Sequence, residues 1–287
     1  SKVDSGIFEF AQKSEPIYWA ASQPDESAEL LESFSFSYEL YRYKTHLSGV
    51  SRPFYFASNK FWYVNNRINS FNYHTQTSHA FAGDTHAKSR KYFMNDKDVL
   101  KIYDLKKFAR SIINKKEYEN EVNFLQNPPS EFKIPKLISY NDNVESAYVL
   151  REKIEGELLI DLILNKKNYD VEKVLNDVLK QLVLLEKSGF YHNDIRLWNI
   201  LITPEGGAEI IDYGSITSEA IDCAWPFDIF VTFSIFVHEV TTKKTDFLKN
   251  DKANLIFKTN PISFPDNYRD WMFLFWENQT KWSFSFL

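Results

Sequence analysis

The sequence is poor in glycine and in sulfur-containing residues. Of its 287 residues, 8 are glycine, one is cysteine and two are methionine. The single cysteine, Cys223, excludes an intramolecular disulfide and fits a reducing compartment. The chain also begins at Ser1 without an initiator methionine, which predicts that it is part of a longer protein.

Basic charge and long apolar runs are also lacking. The formal net charge of -5 offers no basic field for nucleic acid, and no signal peptide is visible. The longest apolar run, residues 229–237, is interrupted and too short to span a bilayer. Because 44% of the residues are hydrophobic and 17% aromatic, the chain can bury a sizeable core. We therefore expect a soluble, cytoplasmic protein with no transmembrane segment and no nucleic-acid partner.

Element patterns divide the chain into an early and a late part. In the early part, apolar spacing predicts a helix over residues 28–43, and aromatic runs predict two strands within 52–64. Three further strands follow between residues 73 and 103. Beyond them the pattern predicts three helices, at residues 108–126, 171–188 and 227–240. It also predicts one more strand, at residues 147–154.

A hairpin is predicted where two short apolar runs, 200–203 and 208–211, flank Pro204 and two glycines. Pairing Thr203 with Ala208 would bring Asn199 opposite Asp212, and Asp194 precedes Asn199 by five residues. An amide and a carboxylate oxygen side by side suit a hard cation such as Mg²⁺. A surface hairpin with simple turn residues is the alternative, and the flanking apolar strands argue against it.

These residues resemble a known family. His192-Asn193-Asp194 with Asn199, followed by Asp212-Tyr213-Gly214, is similar to the catalytic loop and metal-binding triplet of protein-kinase-like folds. The resemblance implies an α+β, bilobal protein-kinase-like fold, with a small β-rich N-lobe and a larger helical C-lobe, preceded by an α/β segment. Its expected parts are residues 1–70, an N-terminal segment, 71–154, the N-lobe, and 155–287, the C-lobe.

The same resemblance implies roles for individual residues. Asp194 would be the catalytic base, Asn199 and Asp212 would hold Mg²⁺, and His192 would support the loop. Lys101, on an apolar strand, would pair with the phosphates of ATP, and a solvent-facing lysine is the alternative. A glutamate orienting this lysine is expected on the helix 108–126. Of its acidic residues, Glu121 is the preferred candidate because apolar Phe124 and Leu125 follow it at three and four residues.

Nucleotide-binding positions are also implied. Glu152 and Ile154 match the hinge positions at which adenine bonds to backbone groups. The loop before Lys101 departs from the family, because Gly83 stands where a glycine-rich motif is usual. Such a loop cannot press its backbone onto phosphates, so side chains such as Lys88, Ser89 and Arg90 are candidate substitutes.

Two charged residues near the loop each have two interpretations. Arg196 could offset charge on the transferring phosphoryl group, or it could pair with a structural carboxylate. Asp228 could cap the helix that it opens, or it could brace the catalytic loop.

The segment after Gly214 bears on the kind of acceptor. Only residues 215–226 precede the next helix, with no Ala-Pro-Glu motif. This segment is too short to be the peptide platform of protein kinases, which favours a small-molecule or glycan acceptor. An aminoglycoside-type phosphotransferase and a non-catalytic pseudokinase scaffold are the alternatives.

A closer resemblance is to the WbdD-type terminators of lipopolysaccharide O-antigen chains. It is carried by residues 89–93, 192–199, 211–216, 222–226 and 281–284. It implies an ATP- and Mg²⁺-dependent kinase that phosphorylates the terminal sugar of a polysaccharide, often polymannose. Residues 1–70 would be the end of a methyltransferase domain, and S-adenosylmethionine would be a cofactor only if that domain were complete. A polymerising glycosyltransferase is an expected partner, on the cytoplasmic face of the inner membrane.

Overall fold

Two compact units make up the chain. The computed structural model describes residues 97–105, 108–142, 146–245 and 252–287, together with the backbone of eight strands between residues 7 and 94. The first unit comprises Ser1–Val122 and Pro135–Lys153, and the second comprises Asn123–Ile134 and Ile154–Leu287. The predicted parts 1–70, 71–154 and 155–287 stay a prediction.

Antiparallel strands dominate the first unit. They are β1 (Ile7–Glu9), β2 (Tyr18–Ala20), β3 (Ala28–Ser33), β4 (Tyr38–Tyr43), β5 (Phe54–Ser58), β6 (Phe61–Val64), β7 (Asn72–His74), β8 (Arg90–Met94), β9 (Asp98–Asp104), β10 (Leu137–Asp142) and β11 (Ser146–Glu152). One sheet has the order β1-β2-β6-β5-β4-β3 and the other β10-β11-β9-β8-β7. The strands predicted within 52–64 and between 73 and 103 are confirmed.

The helix predicted over residues 28–43 is wrong. This stretch forms β3 and β4, which pair with each other, and β4 also pairs with β5. The register shifts between Leu30 and Glu32, so an irregularity in the strand interrupts the period-2 pattern that would have identified it. Aromatic residues favour strands, and pairing with neighbouring strands overrides a weak helical pattern.

Strand β9 lies at the centre of its sheet, between β8 and β11. Its residues Val99, Leu100 and Lys101 are 4%, 1% and 3% exposed, so both of its faces are covered. Helix α1 (Phe108–Gln126) follows, with the bounds that the sequence predicts. It ends just before two prolines, which cannot continue a helix.

The second unit is mainly helical. Its helices are α2 (Leu159–Leu164), α3 (Val171–Lys187), α4 (Ile229–Thr242), α5 (Lys252–Lys258) and α6 (Asp266–Glu277), and its short strands are β12 (Glu157–Leu158), β13 (Tyr191–His192), β14 (Ile200–Ile202), β15 (Ala208–Ile210) and β16 (Ile216–Thr217). Helix α3 is capped by the Asp170 side chain, which accepts a hydrogen bond from the Lys173 backbone N–H at 3.0 Å. Its buried residues recur at helical spacing and are Val174, Val178, Leu182 and Leu185.

The predicted hairpin is present as β14 and β15, and β12 extends it to a three-stranded sheet. Gly156 lies where the chain enters β12. A Cβ atom there would lie 2.7 Å from the backbone oxygen of Ile202, so only glycine permits this approach. This close approach holds β12 against β14, the strand that begins directly after Asn199 of the catalytic loop.

Helix α4 is the apolar centre of this unit. Ten of its 14 residues are buried, including Phe233 and Phe236. Within the described parts of the chain, no helix combines the length and apolar character needed to cross a bilayer.

The last residues pack back onto α4. Phe284 is 1% exposed, and its ring centroid lies 5.1 Å from that of Phe230 and 5.7 Å from that of Phe233. The Glu186 carboxylate, from α3, accepts a hydrogen bond from the Phe284 backbone N–H at 3.0 Å. The end of the chain is therefore a packing element of this unit.

We expect Phe284→Ala to lower the free energy of unfolding by about 3–5 kcal/mol, because it removes a fully buried ring and leaves a cavity. Phe286→Ala is the matched control, since Phe286 is 44% exposed and its loss should cost less than about 1 kcal/mol. Urea denaturation of both variants measures the difference. Equal destabilisation by the two substitutions would contradict the packing described for the tail.

Candidate active site

A buried ion pair joins the predicted strand lysine to the predicted helix glutamate. The Lys101 Nζ lies 3.0 Å from the Glu121 Oε2, and the two side chains are 4% and 1% exposed. The Tyr103 hydroxyl donates a second hydrogen bond to the same oxygen at 2.6 Å. A solvent-facing lysine is therefore excluded, because this ammonium group is removed from water and paired.

Glu121 has a second cationic neighbour that the sequence reasoning missed. The Arg151 Nε, on β11, lies 3.5 Å from the Glu121 Oε1, and the arginine side chain is 12% exposed. Each carboxylate oxygen of Glu121 thus has its own cation. The sequence contained one indication of this contact. Arg151 follows four residues of an apolar strand, and a cation buried there needs a carboxylate partner.

The predicted hinge residues lie at the end of the same strand. Glu152 is the last residue of β11, and its backbone oxygen accepts a hydrogen bond from the Arg151 Nη1 at 3.1 Å. Its backbone N–H donates to the Lys136 oxygen at 2.9 Å. Ile154 is partly exposed. Adenine binding by Glu152 and Ile154 stays a prediction.

The phosphate-contacting side chains proposed for the preceding loop are not tested. Gly83, Lys88 and Ser89 lie outside the described residues, and Arg90 is described only as the first residue of β8.

In the second unit, His192 supports the catalytic loop. It is 1% exposed, and β13 pairs with β16 so that His192 lies opposite Ile216. Its Nδ1 accepts a hydrogen bond from the Asp194 backbone N–H at 3.2 Å. The Nε2 is therefore left to donate to the Ile211 oxygen at 2.9 Å. The ring therefore links the loop to Ile211, the residue that follows β15.

Asp194 and Asn199 are in direct contact. The Asn199 Nδ2 donates to the Asp194 Oδ2 at 3.0 Å and to the Asp194 backbone oxygen at 2.8 Å. Both amide hydrogens thus point at Asp194, and the amide oxygen points away from it. Asn199 is 3% exposed, whereas the Asp194 side chain retains 22% exposure. The arrangement presents one amide oxygen and one accessible carboxylate.

The predicted pairing of the hairpin is wrong by one residue. Ile202, not Thr203, lies opposite Ala208, and the Ile211 N–H bonds the Asn199 oxygen at 2.9 Å. The physical reason is a longer turn. Thr203 belongs to it, because its N–H donates to the Gly207 oxygen at 2.8 Å and the Gly206 N–H donates back to Thr203 at 2.8 Å.

Asp212 still reaches the site because it leaves the strand. Its φ and ψ of 66° and 63° are left-handed, a conformation that aspartate tolerates better than most residues. The Ser215 hydroxyl donates to its Oδ2 at 2.8 Å. The Asp212 charge acts on Asp194 and helps to raise the pKa of that carboxyl group. Asp194 and Asn199 are thus in contact, and Asp212 follows Ile211, whose N–H bonds the Asn199 oxygen.

These groups fit a magnesium ion. No cluster of three or more His, Cys, Asp and Glu side chains that could form an all-protein metal cage occurs within the described residues. Magnesium seldom uses such a cage, and is held instead by one or two protein oxygens, water and substrate phosphates. The Asn199 amide oxygen and the Asp212 carboxylate are ligands of that kind.

Arg196 pairs with a carboxylate that the sequence reasoning did not select. Its Nη2 and Nη1 donate to the Asp222 Oδ1 and Oδ2 at 2.7 and 3.1 Å, and its Nε lies 3.8 Å from the Asp194 Oδ1. The Asp222 side chain is 1% exposed. Of the two interpretations of Arg196, the pairing with a structural carboxylate is the one that the structure contains.

Asp228 caps helix α4 and does not brace the catalytic loop through the contacts described. Its Oδ1 accepts hydrogen bonds from the backbone N–H groups of Phe230 and Val231, both at 2.9 Å. The bracing carboxylate is Asp222, six residues earlier. Local sequence could not distinguish them, because the bracing contact depends on how residues 219–227 fold back onto the loop.

Burial sets the proton affinity of Asp194. Burial raises the pKa of the carboxyl group, the Arg196 cation opposes this rise, and the charges of Asp212 and Asp222 add to it. A raised pKa makes the carboxylate a stronger base.

These residues define a class of protein. Kinase-like phosphotransferases combine a buried lysine–glutamate pair with an aspartate that is bonded to an asparagine five residues further on. The family comparison agrees, since the RIO domain matches residues 71–226, more than half of the chain, and the chain belongs to that family. The site and the family both indicate the kinase-like class.

The particular relatives are named WbdD. Two Escherichia coli proteins, each described as an O-antigen chain terminator bifunctional methyltransferase/kinase, are 34% identical over 98% of this chain. The chain spans only 40% of their length. A crystal structure of monomeric WbdD covers 98% of this chain and 61% of its own, with 29% identity and a TM-score of 0.63. A second WbdD structure is 30% identical to this chain, with a TM-score of 0.68. The predicted WbdD-type resemblance and kinase-like fold are confirmed.

The pKa of Asp194 yields a pH prediction. The base must be ionised, so kcat/KM should fall as the pH decreases through a pKa that lies above the ordinary value of about 3.9. Arg196→Met removes the cation that lowers this pKa, so the acidic limb should move to higher pH. Arg269→Met is the control, since Arg269 pairs with the exposed Asp266 and should leave the limb in place. An Arg196→Met limb at the wild-type pH or below would contradict the prediction.

The cap role of Asp228 is tested separately. We expect Asp228→Ala to lower the free energy of unfolding by about 1 kcal/mol, because two N–H groups of α4 lose their acceptor. The kcat should remain unchanged. Asp228→Asn retains an acceptor oxygen and should restore the stability. A loss of kcat in the folded Asp228→Asn variant would show that the negative charge has a catalytic role instead.

Proposed function

We propose that this chain is an ATP- and Mg²⁺-dependent kinase that transfers the γ-phosphate to a hydroxyl of the terminal sugar of an O-antigen polysaccharide and so ends chain growth. The observation that carries the proposal is the contact of Asp194 with Asn199, next to the charge of Asp212. These side chains supply the base and the oxygen ligands for Mg²⁺ that this chemistry requires. The name of the relatives supports a glycan acceptor, and polymannose is the preferred one.

Asp194 performs the proton transfer. Its Oδ2 is occupied by the Asn199 amide, so Oδ1 is the atom that accepts the proton of the sugar hydroxyl. The sugar oxygen forms a bond to the γ-phosphorus, the bond from that phosphorus to the bridging oxygen of ATP breaks, and ADP leaves. Because the carboxylate is held by a buried amide and faces Arg196 at 3.8 Å, it is oriented before substrate arrives.

The chain's other residues bind and orient. Asn199 and Asp212 would hold Mg²⁺, which supplies positive charge to the phosphates when bound. Lys101 would hold the α- and β-phosphates, and Glu121 keeps its ammonium group in place. Since Lys101 is buried and paired by Glu121, its position does not depend on a bound nucleotide.

The wider setting is part of the same proposal. A polymerising glycosyltransferase is the expected partner, and peripheral attachment to the cytoplasmic face of the inner membrane is the expected location. S-adenosylmethionine would be used only by a complete methyltransferase domain in a longer protein, as the bifunctional name of the relatives suggests.

Acceptor identity is tested with labelled ATP. We expect label to be transferred to oligosaccharides ending in mannose, and not to oligosaccharides of equal length ending in glucose or galactose. Aminoglycosides and a mixed peptide library are the comparison acceptors. Label found only on aminoglycosides or only on peptides would replace the glycan proposal by the corresponding alternative. No transfer, together with no thermal shift by Mg-ATP, would favour a pseudokinase.

Two substitutions separate the base from the metal ligand. Asp194→Asn should lower kcat by about 10²–10⁴-fold at any Mg²⁺ concentration, because the proton acceptor is lost. Asp212→Asn should lower kcat by a similar factor and raise the Mg²⁺ concentration for half-maximal rate. Asp266→Asn is the control, since its carboxylate is 93% exposed and should not affect the rate. Wild-type turnover in either folded active-site variant would refute the assignment.

A further inference from the structure

A line of three charged groups leads away from the catalytic base. Asp194 faces the Arg196 Nε at 3.8 Å, and the opposite edge of the same guanidinium is bound by both oxygens of Asp222. The exposed fractions of the side chains fall along the line, from 22% at Asp194 through 18% at Arg196 to 1% at Asp222. The innermost carboxylate is thus the most deeply buried and holds the arginine at two points.

The backbone around Asp222 is tied to the catalytic loop. The Cys223 N–H donates to the Asn193 oxygen at 2.8 Å, directly before the base. The Ala224 N–H donates to the Asp222 Oδ1 at 3.0 Å, so one carboxylate oxygen serves both the arginine and its own loop. The Phe227 N–H closes the loop onto the Ala224 oxygen at 2.7 Å. Asp222 therefore has little freedom to release Arg196.

Such a carboxylate resembles, in charge and geometry, a phosphate that orders a kinase segment. Phosphorylation can order an activation segment by pairing a new phosphate with an arginine. Here a carboxylate already in the chain makes the bidentate pair with the arginine. The short segment of residues 215–226 carries this carboxylate seven residues after Ser215.

We propose that Asp222 is a positioning residue for phosphoryl transfer: it holds Arg196 against Asp194 permanently, so that the catalytic loop is assembled by a built-in carboxylate rather than by an added phosphate. The proposal rests on the proposed function. Asp222 does not touch the reacting atoms, and the positioning role proposed for it is exerted through its bidentate contact with Arg196.

The test is a double-substitution cycle. Asp222→Asn keeps the size of the side chain and one acceptor oxygen, but removes the charge and one of the two bonds to Arg196. We expect kcat to fall by about 10- to 100-fold, with the KM for Mg-ATP changed by less than about threefold, because orientation of the base is lost and nucleotide binding is not. Asp266→Asn is the matched control, since it removes the carboxylate of an exposed Arg–Asp pair in the same unit.

The arginine background separates positioning from general stabilisation. In an Arg196→Met enzyme, adding Asp222→Asn should lower kcat no further, since Asp222 has lost the group through which it acts. A residue that only stabilised its own loop would lower kcat equally in both backgrounds, and that result would overturn the proposal. Should Asp222→Asn fail to fold, Arg196→Lys keeps the charge and loses the bidentate geometry, and it must lower kcat while leaving KM in place.

The permanence of the contact has its own readout. Enzyme shown by mass spectrometry to carry no phosphate should have full kcat, and phosphatase treatment should leave kcat unchanged. An activity that depends on phosphorylation would overturn this part of the proposal. Hydrolysis of Mg-ATP by the wild-type enzyme is measured alongside. If both this hydrolysis and glycan transfer are absent, the proposed function is rejected. If the wild type is active and Asp222→Asn is unaffected, only the role of Asp222 is rejected.

Discussion

An ionised side chain that is removed from water is stable only beside an opposite charge, and this constraint explains where the functional residues lie. In the first unit, Lys101 is buried with Glu121 as its partner. In the second, Asp222 is buried with Arg196 as its partner. Each pair includes or faces a group of the proposed chemistry. Burial therefore has two consequences: it requires the pairs to form during folding, and it gives their members single, fixed orientations before any substrate binds.

Backbone hydrogen bonds convert this constraint into an active site. The Asn199 oxygen accepts a hydrogen bond from the Ile211 N–H, and the His192 ring bonds the Ile211 oxygen. Ile211 therefore joins the catalytic loop to the strand that precedes Asp212. Asp212 then adopts the left-handed conformation, and its charge acts on Asp194. The buried His192 is thus a structural part of the site, whereas the left-handed backbone of Asp212 places a residue of the proposed metal chemistry.

The relatives and the geometry contribute different parts of the conclusion. Similarity over 98% of the chain establishes the family and the kinase class, but the chain spans only 40% of the curated relatives. The geometry supplies two features that similarity does not: a second cation on Glu121 and a buried carboxylate on Arg196. Arg151 lies outside the segments that carry the resemblance, and Asp222 lies within one of them, but the resemblance implied no role for either residue. Arg151 pairs with Glu121, and Asp222 pairs with Arg196.

The sequence by itself determined the elements whose pattern is local. The spacing of Asp194, Asn199 and Asp212 predicted the site, and the apolar stripe of α3 and the prolines after α1 predicted helices close to those observed. Local spacing is sufficient there, because a helix period or a loop of five residues limits the distance that the side chains can reach.

Only the tertiary structure decided the features that depend on distant partners. The stretch 28–43 became two strands through pairing with β5, and the hairpin register moved by one residue because Thr203 joined the turn. Asp222, rather than Asp228, met Arg196 because a loop 26 residues further along the chain folds back onto the catalytic loop. These outcomes are set by long-range contacts, whose free energy exceeds the weak local preferences that a single sequence displays.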